Sequence, residues 1–212
     1  MVSIKGMNKV AIINDEVVIS ELEKHNLWKE SLGKYGKNLS LDEFDLRNID
    51  INKYFLDQAH ITDCIFDGMN LCSKDIYSSI VCSSTFRFSN LENVNFSKSD
   101  LSYVDFTGAN IKNGRFNRSD CIETVFVEAD LTNAILIGSG FYDTDFRKAI
   151  LINADISSST FEGVLINGAK LSGIKGILEA NIKSIDIGTR ENPIIIDGNQ
   201  AVQWLLSRSL ID

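Results

Sequence analysis

Residues 99–118 read SDLSY VDFTG ANIKN GRFNR, four blocks of five residues with an apolar residue at the centre of each block. The pattern extends outward without a break, because every fifth residue from Leu41 to Leu171 is Leu, Ile, Phe, Val or Cys, twenty-seven in a row. With 44% hydrophobic residues in the chain, such a run arises by chance with a probability of about 10⁻¹⁰. The chain is therefore built from internal repeats.

A period of five fits neither a regular helix nor a regular strand, because both would place successive apolar residues on different faces. A second constraint lies two residues before each central residue. The positions from Ala59 to Ala169 are small there, except for Met69 and Lys74. Residues two apart share one face of a strand. Each block is thus predicted to be a short extended piece with two inward side chains, followed by a corner, and the repetition predicts a solenoid.

The phenylalanines indicate how many blocks close one coil. Phe66, Phe86, Phe106, Phe126 and Phe146 recur once in every four blocks. Four blocks per coil would stack these rings in one column, with nearly seven coils at a spacing of about 4.8 Å.

Three stretches carry a family resemblance: Ala109-Asn110-Ile111, Ala129-Asp130-Leu131 and Ala154-Asp155-Ile156. They resemble the A(D/N)LXX pattern of pentapeptide repeat proteins, and the resemblance covers the whole repeat from Leu41 to Leu171. It implies an all-β fold, a right-handed quadrilateral β-helix. The best-known members of that family resemble duplex DNA in shape and charge, and they protect DNA gyrase and topoisomerase IV from quinolones or peptide toxins.

Both ends depart from the repeat, and short helical caps are expected there because an uncovered coil exposes strand edges. The predicted division is a cap over residues 1–38, the β-helix over 39–188 and a strand and helix over 189–212. Residues 9–19 suggest a hairpin turning at Asn14-Asp15. A capping box at 20–23 then predicts a helix that ends at Gly33, with His25 in a packing or capping role.

The C-terminal part begins with a frame slip of one residue in the stretch 172–176, after which Ile177, Ile182 and Ile187 resume the repeat. A strand at 194–196, a turn at Asp197-Gly198 and an amphipathic helix at 200–210 follow. Trp204 and Leu205 on this helix are the candidate cap or dimer contact. Two alternatives remain open, a cap alone and a cap that also joins two chains into a homodimer.

The residues predict no enzyme. His25 and His60 are the only histidines, and the register places His60 outward. No pair of a nucleophile and a general base can therefore be identified. No catalytic residue, cofactor site or metal site is predicted, and the Asp and Asn residues before the central positions are expected to support the corners. Cys64 and Cys121 are expected inside and Cys72 and Cys82 outside, as reduced thiols.

Charge is the functional signal that the repeat does not require. The chain has a formal net charge of −8. When the blocks are assigned to four sides in turn from Leu41, sides one and two carry thirteen acidic against four basic residues, and sides three and four carry eight basic against six acidic residues. An acidic face is therefore predicted. Its candidate contact residues are Asp63, Asp67, Asp100, Asp105, Asp120, Glu123, Glu128, Asp143 and Asp145.

Two functions follow as hypotheses. An acidic face repels nucleic acid and fits a basic groove that normally holds DNA, which together with the resemblance suggests a DNA mimic that binds gyrase or topoisomerase IV. The alternative is a structural or adaptor scaffold whose partner is not a DNA enzyme. No membrane partner and no direct nucleic-acid binding are expected. Without a secretory signal or a long apolar run, a cytoplasmic location is expected.

Overall fold

The protein is a four-sided β-helix of about seven coils with a helix at each end. A computed structural model describes residues 5–189 and 191–210, with side chains from residue 15 onward. The helices and strands are α1 (Lys5–Glu30), β1 (Ser40–Asp42), β2 (His60–Thr62), β3 (Asp120–Ile122), β4 (Gly140–Tyr142), β5 (Thr160–Glu162), β6 (Val164–Leu165), β7 (Asn181–Ile182), β8 (Ser184–Asp186), β9 (Ile195–Asp197) and α2 (Gly198–Ser209).

Each coil contains four blocks, as the phenylalanine spacing predicts. Strands β1 and β2 pair in parallel with Leu41 opposite Ile61. Most other pairs are single parallel bridges between residues four blocks apart, such as Asp105 with Val125. A side of the coil is too short for a longer strand, because two inward side chains are followed at once by a corner.

The corners depend on the residue two positions after each central residue. From Gln58 to Gly173 this residue always has a positive φ, for example +65° at Gly108 and +56° at Phe88. The N–H of Ala109 then donates to the carbonyl of Phe106 at 3.0 Å and closes the turn. The predicted corner glycines all have this conformation: Gly108, Gly138, Gly163, Gly168 and Gly173. Many non-glycine residues share it, so backbone strain is distributed along the whole rod.

Stacked aromatic rings fill the interior of side two. The centroids of Phe66, Phe86, Phe106, Phe126 and Phe146 follow one another at 4.5, 5.4, 5.0 and 4.9 Å. A second column on the opposite wall, side four, meets the first edge-on, with an interplanar angle of 81° between Phe86 and Phe96. The predicted column is therefore confirmed, and offset and edge-on contacts both stabilise it.

Serine and threonine at the small inward positions join successive coils. The hydroxyl of Ser99 donates to the carbonyl of Ile76 at 2.8 Å and accepts the N–H of Ser79 at 3.1 Å. Side chains at these positions must be short because they lie against the backbone of the neighbouring coil. Lys74 is the exception. Its ammonium group donates to the carbonyls of Ile51, Asn52 and Tyr54 at 2.8, 3.1 and 2.5 Å, and burial lowers its pKa to about 8.

The expected hairpin at residues 9–19 is wrong, because this stretch lies inside α1. Local preference favoured strands and a turn at Asn14-Asp15, but tertiary packing overrides it. From residue 15 onward, α1 buries Val18, Leu22 and His25. The predicted end of the helix is confirmed, since Gly33 has a φ of +84° and donates its N–H to the carbonyl of Trp28 at 2.8 Å.

Helix α1 covers the first coil through His25. Its Nδ1 accepts the N–H of Leu39 at 3.1 Å, and its Nε2 lies 3.2 Å from the carbonyl oxygen of Asp57. The ring is therefore a neutral imidazole that donates from Nε2, and burial lowers its pKa. Lys29 also forms an ion pair with Asp57. The packing and capping role expected for His25 is confirmed.

At the other end, β5 pairs with β7 in a register shifted by one residue, with Phe161 opposite Ile182. This confirms the frame slip. Strand β9 runs antiparallel to β8, and α2 buries Ala201 and Leu205. The helix begins at Gly198, earlier than expected. Within the described parts of the chain, neither helix is long and apolar enough to cross a membrane.

Candidate interaction surface

The predicted acidic face lies on two adjacent sides of the rod. Because residues four blocks apart are paired, the blocks centred on Leu41, Ile61 and their equivalents form side one, and those centred on Leu46, Phe66 and their equivalents form side two. Sides three and four follow in the same order. The charges that the sequence assigns to the sides, a net −9 on one and two and +2 on three and four, therefore lie on separate halves of the rod, with Lys74 of side four buried.

Five of the nine candidate acids are already engaged within the rod. The Asp105 carboxylate accepts the N–H of Thr107 at 2.8 Å and the Arg87 side chain at 2.6 Å. Asp145 accepts the N–H of Arg147 and pairs with its guanidinium. Asp67 accepts the N–H of Arg87, and Asp100 accepts the N–H of Ser102. Glu128 forms an ion pair with Lys148.

These contacts occupy the carboxylates of the engaged acids, and for Asp105 they also lower the pKa. Burial pushes the pKa of Asp105 upward, but the hydrogen bonds from Thr107 and Arg87 outweigh it and keep the pKa below its ordinary value. A carboxylate that accepts a corner N–H supports the turn. The sequence predicted this role for Asp45, Asp100, Asp105, Asn110, Asp120, Asp130, Asp145 and Asp155. It is confirmed for all of them except Asp120.

The other four acids form what we call the corner strip: Asp63, Asp120, Glu123 and Asp143. All four are exposed, and among the described residues none of their side chains has a hydrogen-bond or ion-pair partner. Asp63, Glu123 and Asp143 have φ values of 51°, 50° and 51° at the corner between sides one and two. Spacing separates the two groups only in part. Asp100 and Asp145 are engaged by residues two positions further on, as their place before a central residue predicts, but Asp120 holds the same place without such a contact. The contacts of Asp67 and Glu128 depend on residues one coil away.

Two exposed aromatic residues on this face were not anticipated. Phe88 is 70% exposed and Tyr103 is 54% exposed, and they occupy the two corners that flank side two. Between them lies the Arg87–Asp105 ion pair. Their positions, two residues after a central residue, already place them outward in the sequence. An aromatic residue at an outward position was therefore the sequence feature that could have identified these two residues.

The cysteines lie where the register places them, with Cys64 and Cys121 buried, Cys72 exposed and Cys82 half-buried. All four are free thiols. Burial raises the pKa of Cys64 and of Cys82 to about 11 and raises that of Cys121 further. These three thiols are therefore protonated at neutral pH and weakly nucleophilic.

His60 is exposed, as predicted. No group of three or more His, Cys, Asp or Glu side chains suited to a metal ion occurs within residues 5–189 and 191–210 as far as they are described.

Several solved structures are similar to this chain. HetL from Nostoc sp. strain PCC 7120, involved in heterocyst differentiation regulation, is 18% identical over 74% of this chain and 71% of its own, with a TM-score of 0.44. Rfr23 from Cyanothece 51142 is 18% identical over 57% and 86%, with a TM-score of 0.40. QnrB1, a plasmid-mediated fluoroquinolone resistance protein, is 16% identical over 81% and 97%, with a TM-score of 0.47. No curated protein sequence matches the chain.

Coils of four five-residue blocks, joined by parallel bridges and closed by positive-φ corners, define a quadrilateral β-helix. The family model for pentapeptide repeats matches eight copies, within residues 83–118, 115–151 and 124–163. Residues 83–163 are therefore pentapeptide repeats, and the neighbouring coils continue the same block geometry.

Proposed function

We propose that this protein is a non-enzymatic interaction solenoid that binds a partner protein through sides one and two. The proposed partner is an enzyme that holds DNA in a basic groove, DNA gyrase or topoisomerase IV. The observation that carries the proposal is the corner strip, four exposed carboxylates without partners among the described residues, on the more acidic half of the rod. Their charge is directed outward to a partner, whereas the engaged acids are satisfied inside the fold.

Electrostatics favours this kind of partner. An acidic strip attracts a basic groove over distances of about 10 Å at moderate salt, which accelerates association and weakens as salt rises. The same strip repels nucleic acid, so we propose no direct nucleic-acid binding. The side-chain contacts within the rod leave sides one and two rigid, which lowers the entropy lost on binding.

A supercoiling assay with purified gyrase tests the proposal. The full chain should alter supercoiling or quinolone inhibition at micromolar concentration. A strip variant, Asp63→Lys/Glu123→Lys/Asp143→Lys, should need at least tenfold more protein. A matched control, Glu30→Lys/Glu92→Lys/Glu179→Lys, changes the net charge equally but lies off the strip and should act like the parent chain. No effect of the parent chain at tens of micromolar would reject a gyrase partner.

A second candidate function is an adaptor or scaffold whose partner is not a DNA enzyme, and Phe88 and Tyr103 favour it. Exposed aromatic residues beside an arginine are typical anchors of protein interfaces. Binding to such a partner should be lost in Phe88→Ala/Tyr103→Ala and retained in the strip variant. The opposite result in a pull-down comparison would favour the acidic strip instead.

We also propose that the C-terminal end joins two chains into a homodimer. Leu205 is the buried residue of α2 that acts in the cap, so the contact is assigned to the partly buried Trp204 and to exposed apolar residues in the C-terminal part of the chain. These are Leu178, Ile194, Ile195 and Leu210. Light scattering should give a dimer mass for the parent chain and a monomer mass for Ile195→Glu/Leu210→Glu. A monomeric parent chain at high micromolar concentration would leave α2 as a cap alone.

A cytoplasmic location is part of the proposal, and the four free thiols support it because reduced cysteines are typical of that compartment.

A further inference from the structure

Side four carries a groove of about 640 Å³ near the middle of the rod. Three cationic residues line it, Lys98, Arg115 and Arg118, together with the less polar Tyr77 and Ile137. The groove lies on the opposite half of the rod from the acidic face. It is large enough for a small organic molecule.

The three cations have no carboxylate partner. Among the described residues, no acidic oxygen lies within 4.0 Å of Lys98, Arg115 or Arg118, although other exposed cations such as Arg87 and Lys112 are paired. The Lys98 ammonium lies 5.3 Å from the centroid of the Tyr77 ring. This local positive charge lies on the more basic half of a chain whose net charge is −8.

The nearest acids do not neutralise the groove. On side four, Asp75 accepts a hydrogen bond from the Asn95 amide at 2.8 Å, and Asp155 accepts the N–H of Ser157 at 3.0 Å. Asp100 and Asp120 lie beyond the corner on side one, where Asp100 accepts the N–H of Ser102 at 3.0 Å. The positive potential is therefore directed into the groove.

The arrangement of donors suits one multiply charged anion. Lys98 and Arg118 hold equivalent positions in successive coils, a separation of about 4.8 Å. Arg115 belongs to the same coil as Arg118, on the other edge of side four. In addition, Asn117 lines the groove, and its buried side-chain oxygen accepts no hydrogen bond within the described chain. It can accept one from a ligand hydroxyl.

We propose that this groove binds an organic phosphate, a phosphate monoester that also carries hydroxyl groups. The terminal oxygens of a phosphate accept from two guanidinium groups and an ammonium group at once, whereas a carboxylate has only two oxygens. The ester carbon skeleton lies against Tyr77 and Ile137, and a hydroxyl reaches Asn117. This site is independent of the acidic face.

Isothermal titration calorimetry on the full chain tests the site with three probes: glycerol 3-phosphate, inorganic phosphate and succinate. Glycerol 3-phosphate should bind at least fivefold more tightly than succinate. Arg115→Gln/Arg118→Gln should weaken its binding at least tenfold. The control variant Lys112→Gln/Lys170→Gln removes the same charge from side three and should change the affinity less than twofold.

Three calorimetric outcomes with these probes would overturn the proposal. They are no heat of binding with millimolar glycerol 3-phosphate, equal loss of binding in both double variants, and succinate binding as tightly as the phosphate ester. Binding of a single-stranded oligonucleotide without binding of glycerol 3-phosphate would also reject the proposal. The groove would then recognise a nucleic-acid backbone and not a small phosphate ester. Asn117→Leu should lower affinity for glycerol 3-phosphate and leave inorganic phosphate unchanged, which separates the hydroxyl contact from charge.

Discussion

At the scale of the residue, the ring of Phe106 shows how the repeat stabilises itself. It stacks on Phe86 and Phe126 at 5.4 and 5.0 Å and meets Phe96 and Phe116 edge-on at 5.6 and 6.2 Å. It is fully buried. Each phenylalanine of the column thus supports the coil above and the coil below, so one side chain contributes to three coils.

We expect Phe106→Ala to lower the free energy of unfolding by about 3–5 kcal/mol, because it leaves a cavity and breaks the column at its centre. Urea unfolding followed by circular dichroism measures the change. The control is Phe88→Ala, an exposed phenylalanine of the same face, for which we expect a change of about 0.5 kcal/mol or less. Similar losses in the two variants would show that the column contributes little.

At the scale of the element, α1 protects the open end of the first coil, and His25 is its main polar contact. Protonation of the ring would remove the acceptor that binds the N–H of Leu39. Burial lowers the pKa of His25, and this effect outweighs the attraction of the neighbouring Asp57 carboxylate, while Lys29 acts in the same direction as burial. The docked helix therefore requires neutral His25.

This requirement predicts a pH dependence. With its folded-state pKa below the ordinary value of about 6.5, His25 is protonated first in the unfolded chain as the pH falls. Its contribution to stability is fully present above about pH 6.5 and is lost as the pH falls through the folded-state pKa. Urea unfolding at pH 7.5 and 5.5 should show lower stability at pH 5.5. His25→Gln should reduce this difference and His60→Gln, at the exposed histidine, should not.

At the scale of the whole molecule, the rod is a series of coils that contact only their neighbours. The number of coils can therefore be changed without changing the register between them. Removal of one full coil, 109–128, would place Phe146 above Phe106 and keep every side in register. Removal of three blocks, 109–123, keeps the period of five but turns all later blocks by one side. Phe126 would then leave the column, and the acidic sides of the two halves would no longer be continuous.

We expect the full-coil deletion to keep the β-helix with a melting temperature lower by only a few degrees, and the three-block deletion to lose considerably more. Circular dichroism during thermal unfolding measures both. If the three-block deletion were the more stable of the two, the stacking of identical side chains between coils would not be a major source of stability.

The sequence by itself determined the architecture of this protein: the coil of four blocks, the inward residues, the corners and the division of charge between sides. These features depend on an unbroken period of five from Leu41 to Leu171. Because of this period, residues that are neighbours in successive coils hold equivalent positions in the sequence pattern. The C-terminal frame slip was predictable for the same reason, whereas the C-terminal helix was predictable from its amphipathic pattern.

Tertiary structure alone decided the rest. The helix at residues 9–19 forms because its later turns bury Val18, Leu22 and His25 against the first coil, a contact that no local preference encodes. The division of the acidic residues into engaged groups and the corner strip depends on which cation or N–H each carboxylate reaches. The groove on side four likewise exists only where Lys98 and Arg118 meet across coils and no carboxylate lies between them. Side chains on neighbouring coils meet only once the chain has folded, and spacing along the chain does not specify which atoms they present to one another.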